Sequence, residues 1–492
     1  MKFSVVVLVM VVACGGGSGT TKSPDAGADA PPDVATRTVT GSYVVHWISP
    51  AGEMDMPVDL SRAAVGVLVP PTFELISGTG NSDGTFSIAD VPVGDYYFVA
   101  GSRYFVMSGD TLDLQVYLVG RPGESAVTAP TNVTFNVTAL APWQSGDELE
   151  LYAPADGLLG FDLEAFAGSA APMVNDTSLN NLVFNLEYAD RAPLPTNDVA
   201  TIAQLSTQTD GTRSYRSIAR TFASPPLTLS NGGSASVSGA FTTVDPTQTL
   251  TMTWDRPAFA AELDARYSST ASMNWSTFAI TALKSASAHG FYDEGPDVLV
   301  YSPGYTTDSS AITTSWPYGD PFPASWGRIA WSRFMKYRFI QLPGGSATGA
   351  FASIFQYVDL ASLATQSTLE PAIGLVVNPK IGNADALTTT TITGITTTPT
   401  LSWEAPTIGT AAKYYVNVRS VSVVNGATTL RTIAVLETAH TQLAIPPGVL
   451  QQGQTYVFEL QARASASDLM TTPLVDSLPD ARSSLTTAMA TP

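Results

Sequence analysis

Alternation of apolar and polar positions, the mark of a half-buried strand, recurs along most of this chain. It sets in near Val39, where Ser42 to Ile48 and Val65 to Val69 read as strands. In "TFSIADVPVGDYYFVA", Phe86 and Ile88 alternate with Thr85 and Ser87, a turn falls at Val93-Gly94-Asp95, and a strand resumes from Tyr96 to Ala100. Asp83-Gly84, just upstream, is a hairpin signal. "DTLDLQVYLVG" follows as another strand. At the other end, "TPTLSWEAP" places Leu401 and Trp403 on one face, and "KYYVNVRSVSVV" sets Tyr414, Val416 and Val418 against Tyr415, Asn417 and Arg419. "QTYVFELQARA" lines up Tyr456, Phe458, Leu460 and Ala462, and "SSLTTAM" reads as a closing strand.

Between these ends, short β-like runs such as "NVTFNVTAL", "ELELYA", "YRSIARTF", "TLTMTWD", "DVLVYS" and "IAWSRFMKYRFIQL" are separated by turn residues. They predict about a dozen central strands with no fixed repeat period. "RPAFAAELDARY" is the one clear short helix, with Pro257 at its start. The expected fold class is therefore all-β: tandem β-sandwich domains around a larger central β-sandwich, jelly roll or barrel.

Composition supports this and narrows the function. Charged residues are 13% and hydrophobic residues 44% of 492, which suits packed sheets rather than coiled coils. A net charge of −19 and the lack of any basic run argue against a nucleic-acid partner. The single cysteine, Cys14, rules out an intramolecular disulfide. Three histidines, His46, His289 and His440, leave little for histidine-based catalysis.

The first residues, "MKFSVVVLVMVVACGGGSG", pair Lys2 with an apolar stretch too short to span a bilayer, as in a secretory signal. Val11-Val12-Ala13-Cys14 resembles a bacterial lipobox. That resemblance implies a signal peptide over 1–13, a diacylglycerol on Cys14 and anchorage in a membrane. Gly15, in place of Asp, favours the outer membrane, facing the cell surface or the periplasm. Residues 14–36 then form the lipidated cysteine and a Gly/Ser/Pro/Ala/Asp-rich tether, which cannot bury enough apolar area to offset its ordering entropy.

"GNSDG" at 80–84 fits G-x-S-x-G, the nucleophile elbow of serine hydrolases. The elbow needs a helix after the motif. Here period-2 alternation and a further turn follow at once, so Ser82 is expected in a β-turn and not as a nucleophile. The same stretch, through Asp83, Gly84, Phe86, Val91, Gly94 and Tyr96, resembles the carboxypeptidase regulatory-like domain. This implies a non-catalytic, transthyretin-like sandwich over 37–122. No histidine has Glu three residues on, so the zinc peptidase that often accompanies that domain is not expected. Residues 390–492 resemble a fibronectin type III domain, which implies Trp403 as a core tryptophan and Gly453-x-x-Tyr456 as a tyrosine corner over Leu443. Residues 128–389 resemble no family.

Two central clusters are candidate sites. "HGFYDEGPD" gathers His289, Asp293, Glu294 and Asp297, and the three carboxylates are candidate oxygen ligands for Ca²⁺ or an acid–base set. "SWPYGDPFPASW" offers Trp316, Tyr318 and Trp326 as aromatics for a sugar ring or a partner side chain, with core packing as the alternative. No catalytic residue and no required cofactor are identified. The expected function is a non-enzymatic, lipid-anchored envelope or cell-surface protein for binding, adhesion or scaffolding, its partner a protein or a glycan. The alternative is an envelope hydrolase acting on polysaccharide through paired carboxylates in the central region.

Overall fold

The structure, a computed structural model, describes residues 35–49, 52–122, 127–153, 158–162, 172–185, 196–267, 274–283, 295–468, 470–475 and 477–492. The expected all-β architecture is present. Several sheets pack as sandwiches, and the central strands do not close into a barrel.

One sheet runs through the whole molecule. From the strand Glu148–Ala153, whose outer edge is covered by Leu158–Asp162, it passes through Thr201–Asp210, Arg213–Ala223, Asp297–Tyr301, Asn274–Leu283 and Gly327–Ile340 to Thr348–Asp359. There it crosses into the C-terminal region. Ala352 to Tyr357 pair antiparallel with Leu485 to Asp480 of the strand Asp480–Thr486. The ladder continues through Thr455–Ala464, Lys413–Val424 and Ala427–Thr438. Asn425 and Gly426, both at positive φ (51° and 77°), make the tight turn between the last two strands. Val435 to Thr438 then pair in parallel with Arg103 to Val106 of the N-terminal region. Tyr96–Ala100, Gly66–Val69 and Glu74–Ser77 complete the path. At about 4.8 Å per strand, these fifteen strands cover roughly 67 Å of sheet.

Three layers back this sheet, each through its own apolar cluster. Thr36–Ser49 and its partners cover the N-terminal end through Phe86, Ile88, Phe98 and Phe105. Asn132–Thr138, Ser178–Asn185 and Ser234–Ala240 cover the opposite end through Phe135, Phe184, Leu149 and Leu151. The middle is covered by Gln248–Trp254 and Ile312–Tyr318, by Thr400–Glu404 and its neighbours, and by two helices, through a core that includes Trp254, Phe259, Phe278, Trp403 and Val416. The helix Arg256–Arg266 is the expected one. Pro257 sits in its first turn, and the Asp255 carboxylate accepts a bond from the Ala258 N–H at 3.2 Å. The second helix, Leu360–Gln366, is capped in the same way by Asp359.

Buried polar groups sit at the joints. Glu437 is fully buried and pairs with Lys413 and, at 3.2 Å, with Arg103 across the contact between the N- and C-terminal regions. Arg463 holds Asp480 with two bonds, of 3.0 and 3.1 Å, beside the central–C-terminal joint. Removing one partner of such a pair strands a charge in low dielectric, so these groups penalise other registers. The Tyr97 hydroxyl reaches across to Ala444, donating to its carbonyl at 3.0 Å and accepting from its N–H at 3.1 Å. The Tyr456 hydroxyl accepts from the Gln451 N–H at 2.9 Å, the corner geometry expected at Gly453-x-x-Tyr456.

Residues 81–84 form the turn expected there, and the strand Thr85–Pro92 follows directly, so Ser82 lies in a turn with no helix after it. The Asp83 carboxylate closes this turn on the Thr85 N–H at 3.0 Å. No helix among the described residues is long and apolar enough to cross a membrane.

Candidate functional site near one end of the long sheet

The strand Glu148–Ala153 separates its side chains by period 2. Leu149, Leu151 and Ala153 enter the apolar cluster beneath. Glu148, Glu150 and Tyr152 therefore share the opposite face. This face connects the two clusters expected from the sequence.

Asp297 comes to it from the start of the strand Asp297–Tyr301, three places further along the sheet, and its backbone N–H donates to Glu150 Oε2 at 3.0 Å. Glu150 is 8% exposed. Burial, above all, raises its carboxyl well above the usual glutamate range. The nearby Asp297 charge adds to that rise and the bond from the Asp297 N–H opposes it; Glu148 raises it further and Arg216 lowers it. Arg216 itself is engaged with Glu148 at 2.9 Å.

Trp326 comes to the same face from the loop after Tyr318. It stacks on Phe322 (centroids 5.3 Å apart, 10° between planes), and the Tyr152 ring meets it edge-on at 5.6 Å. Arg328 organises this loop. Its guanidinium binds both Asp320 oxygens, at 2.5 and 2.9 Å, and donates to the Trp326 and Phe322 carbonyls at 2.6 and 2.9 Å. A planar fork satisfied on four sides leaves the loop few alternatives, so Phe322 and Trp326 are held in place before any ligand arrives.

Tyr152 is 3% exposed, and its hydroxyl makes no hydrogen bond among the described residues. Burial alone pushes that phenol well above its ordinary range.

The other expected candidates fall elsewhere. Trp316 is 1% exposed; its ring stacks on Tyr215 at 4.9 Å and its indole N–H donates to Asp210 at 3.0 Å. Tyr318 is buried as well. Both are core residues with no ring face open to a ligand, which corrects their assignment as binding aromatics. Asp293, Glu294, His289 and Cys14 lie outside the described residues, so the acidic cluster is represented here by Asp297 alone. Among the described residues, no group of three or more His, Cys, Asp or Glu side chains is arranged to hold a metal ion. His46 stacks on Tyr117 at 4.4 Å and pairs with Asp55 at 2.6 Å, while His440 contacts Asp95 at 3.3 Å. Each is a strand or strand-end residue paired with a carboxylate.

Sequence reasoning passes over Glu150, Tyr152 and Arg328. A signal for the first two exists in "ELELYA": two acids and a tyrosine on one face of a strand whose other face is wholly apolar, in a chain with few charges. Comparison with known protein families gives no match, and no curated protein matches the chain significantly. The functional reading therefore rests on residues and geometry.

Proposed function

We propose that the chain is a lipid-anchored envelope or cell-surface protein that binds or scaffolds a partner and does not catalyse a reaction on it. The observation that carries this reading is the single sheet joining N-terminal, central and C-terminal strands. A site borne on so extensive a ladder is held rigidly and away from the tether. Ala35, where the tether ends, is bonded to Val93 at the start of the first strand. That strand, Thr36–Ser49, runs about 43 Å at 3.3 Å per residue. Near its far end Arg121 is clamped by Asp198 at 2.7 Å, three residues before Thr201, the register partner of Tyr152. The candidate site therefore lies at the end of the molecule remote from the tether. The lipobox at Cys14 and the polar segment that follows supply the anchor in this reading.

Protease shaving of intact cells, read through a C-terminal tag, tests it. The wild type is expected to be membrane-anchored and cleaved from outside, and the Cys14→Ser variant to be released. A Cys14→Ser chain that stays as firmly anchored contradicts the reading.

A second reading, an envelope hydrolase acting on polysaccharide, is favoured by one observation: Glu150, whose proton affinity burial raises, lies beside Asp297, and paired carboxyls of unequal proton affinity are what such acid catalysis uses. It predicts turnover of a polysaccharide by the wild type that the Glu150→Gln variant lacks.

A further inference from the structure

We propose that two adjoining hairpin ends, 339–347 and 421–427, form a docking surface for the headgroup layer of an anionic lipid bilayer. This contact is separate from any lipid on Cys14.

Charge is spread unevenly along the chain. It holds 42 Asp and Glu against 23 Lys and Arg, yet residues 321–358 and 405–436 contain no acid and seven of the cations. These stretches build the pairs Gly327–Ile340 with Thr348–Asp359 and Lys413–Val424 with Ala427–Thr438. Toward their turns even the cations stop: no charged residue occurs in 339–358 or in 420–430.

The fold joins the two uncharged ends. The Ser346 N–H donates to the Gly426 carbonyl at 2.8 Å, and the Ser346 carbonyl accepts from the Thr428 N–H at 3.1 Å. Thr428 Oγ1 accepts from the Leu342 N–H at 3.1 Å. The approach is close enough to require glycine at 345, where a Cβ would lie 2.6 Å from Thr428 Oγ1 and 3.1 Å from a Val423 methyl. Backbone groups of the two turns thus satisfy one another, as a chain entering a low-dielectric layer requires.

Large apolar side chains project from these ends. Phe339 is 67% exposed, Val424 51% and Val423 39%. Tyr305, 59% exposed, meets Tyr337 on the same strand face as Phe339, with ring centroids 5.4 Å apart. Exposed apolar residues scattered singly need no explanation; a group of them on two joined hairpins marks a contact surface.

Cations stand behind the tips. Arg328, Lys336, Lys413 and Arg419 are matched by Asp320, Asp264, Glu437 and Glu459, all from outside the acid-free stretches. Arg338, just before Phe339, binds only the Thr486 and Thr487 carbonyls and the Tyr267 ring face. Arg431 is exposed and forms no ion pair among the described residues. It lies four residues past Ala427, about 13 Å along the strand. Apolar tips sunk about 5–10 Å into a bilayer would bring it to the headgroups. An apolar end backed by uncompensated cations, with no acid nearby in sequence, complements an anionic lipid surface. A nucleic acid would engage the cations and leave the apolar tips in water.

The test uses a chain beginning at Gly15, which keeps every described residue and lacks both the apolar leader and the lipid. It is centrifuged with vesicles of phosphatidylglycerol and phosphatidylcholine in equal parts, and with pure phosphatidylcholine. The parent is expected to pellet with the anionic vesicles, less so as salt is raised, and to stay in solution with the neutral ones. Phe339→Ser/Val424→Ser should weaken binding at least about tenfold. Arg431→Gln should weaken it about fivefold. All these side chains are exposed, so unfolding midpoints should not move. A parent that stays in solution with anionic vesicles overturns the proposal and leaves the apolar tips to a protein partner. Undiminished binding by the double serine variant also overturns it, as does equal pelleting with neutral vesicles. Because the tested chain carries no lipid, the result stands apart from the shaving experiment on Cys14.

Discussion

At the scale of single residues, Glu150 is the most informative side chain. Its folded-state proton affinity is raised, chiefly by burial. In acid, below the ordinary glutamate range, the carboxyl is protonated whether the chain is folded or not, and the contribution to stability is complete. As pH rises past that range the unfolded chain ionises while the folded chain still holds the proton. Stability then falls until the raised folded value is passed. The wild type should therefore lose stability as pH rises above the ordinary glutamate range, by at most about 1.4 kcal/mol per pH unit from this group. Glu150→Gln should flatten that part of the profile. Parallel profiles for the two proteins in thermal unfolding would show that the carboxyl ionises as freely in the folded chain as in solution. Trp316 teaches the converse lesson: an aromatic at a strand position reads the same in sequence whether it faces core or solvent, and only the packing of Tyr215 and Tyr301 around it decides.

At the scale of elements, most strands are legible because one face of each is buried and the other is not. Thr85–Pro92 and Ile312–Tyr318 carry that signal plainly. The strand Thr348–Asp359 does not. Its inner positions are buried on both faces, so Ala, Ser, Ile and Phe follow one another without alternation. Arg103–Met107 is only five residues long and is hard to separate from the hairpin that precedes it. These two strands form the joints of the long sheet. The helix Leu360–Gln366 is brief and stands directly after a strand, where Asp359 serves as the cap for a single short run. At the candidate site the aromatic and acidic clusters are legible as separate stretches. The strand that brings them together is legible only as a strand, because cross-strand neighbours hundreds of residues apart leave no local pattern. The register Glu150↔Ala203 and the bond from Asp297 to Glu150 are facts of tertiary structure.

At the scale of the molecule, the central claim is that central and C-terminal strands are consecutive members of one sheet. Isolated sandwiches joined by loops would leave the edges of Thr348–Asp359 and Asp480–Thr486 as exposed pairing templates, which proteins ordinarily cover or blunt. Here each edge covers the other, and the Arg463–Asp480 pair is buried beside the joint. Pairing across that joint holds the central strands in fixed relation to the C-terminal ones. Ser353 and Ser484 are register partners on these two strands, with hydroxyl oxygens 2.9 Å apart. The most direct measurement is disulfide formation in a Ser353→Cys/Ser484→Cys double variant on a Cys14→Ser background, read by thiol labelling and gel mobility after mild oxidation. Complete crosslinking within the monomer, with loss of both free thiols, is the result predicted by one continuous sheet. Two thiols that stay fully labelled under the same conditions would contradict it.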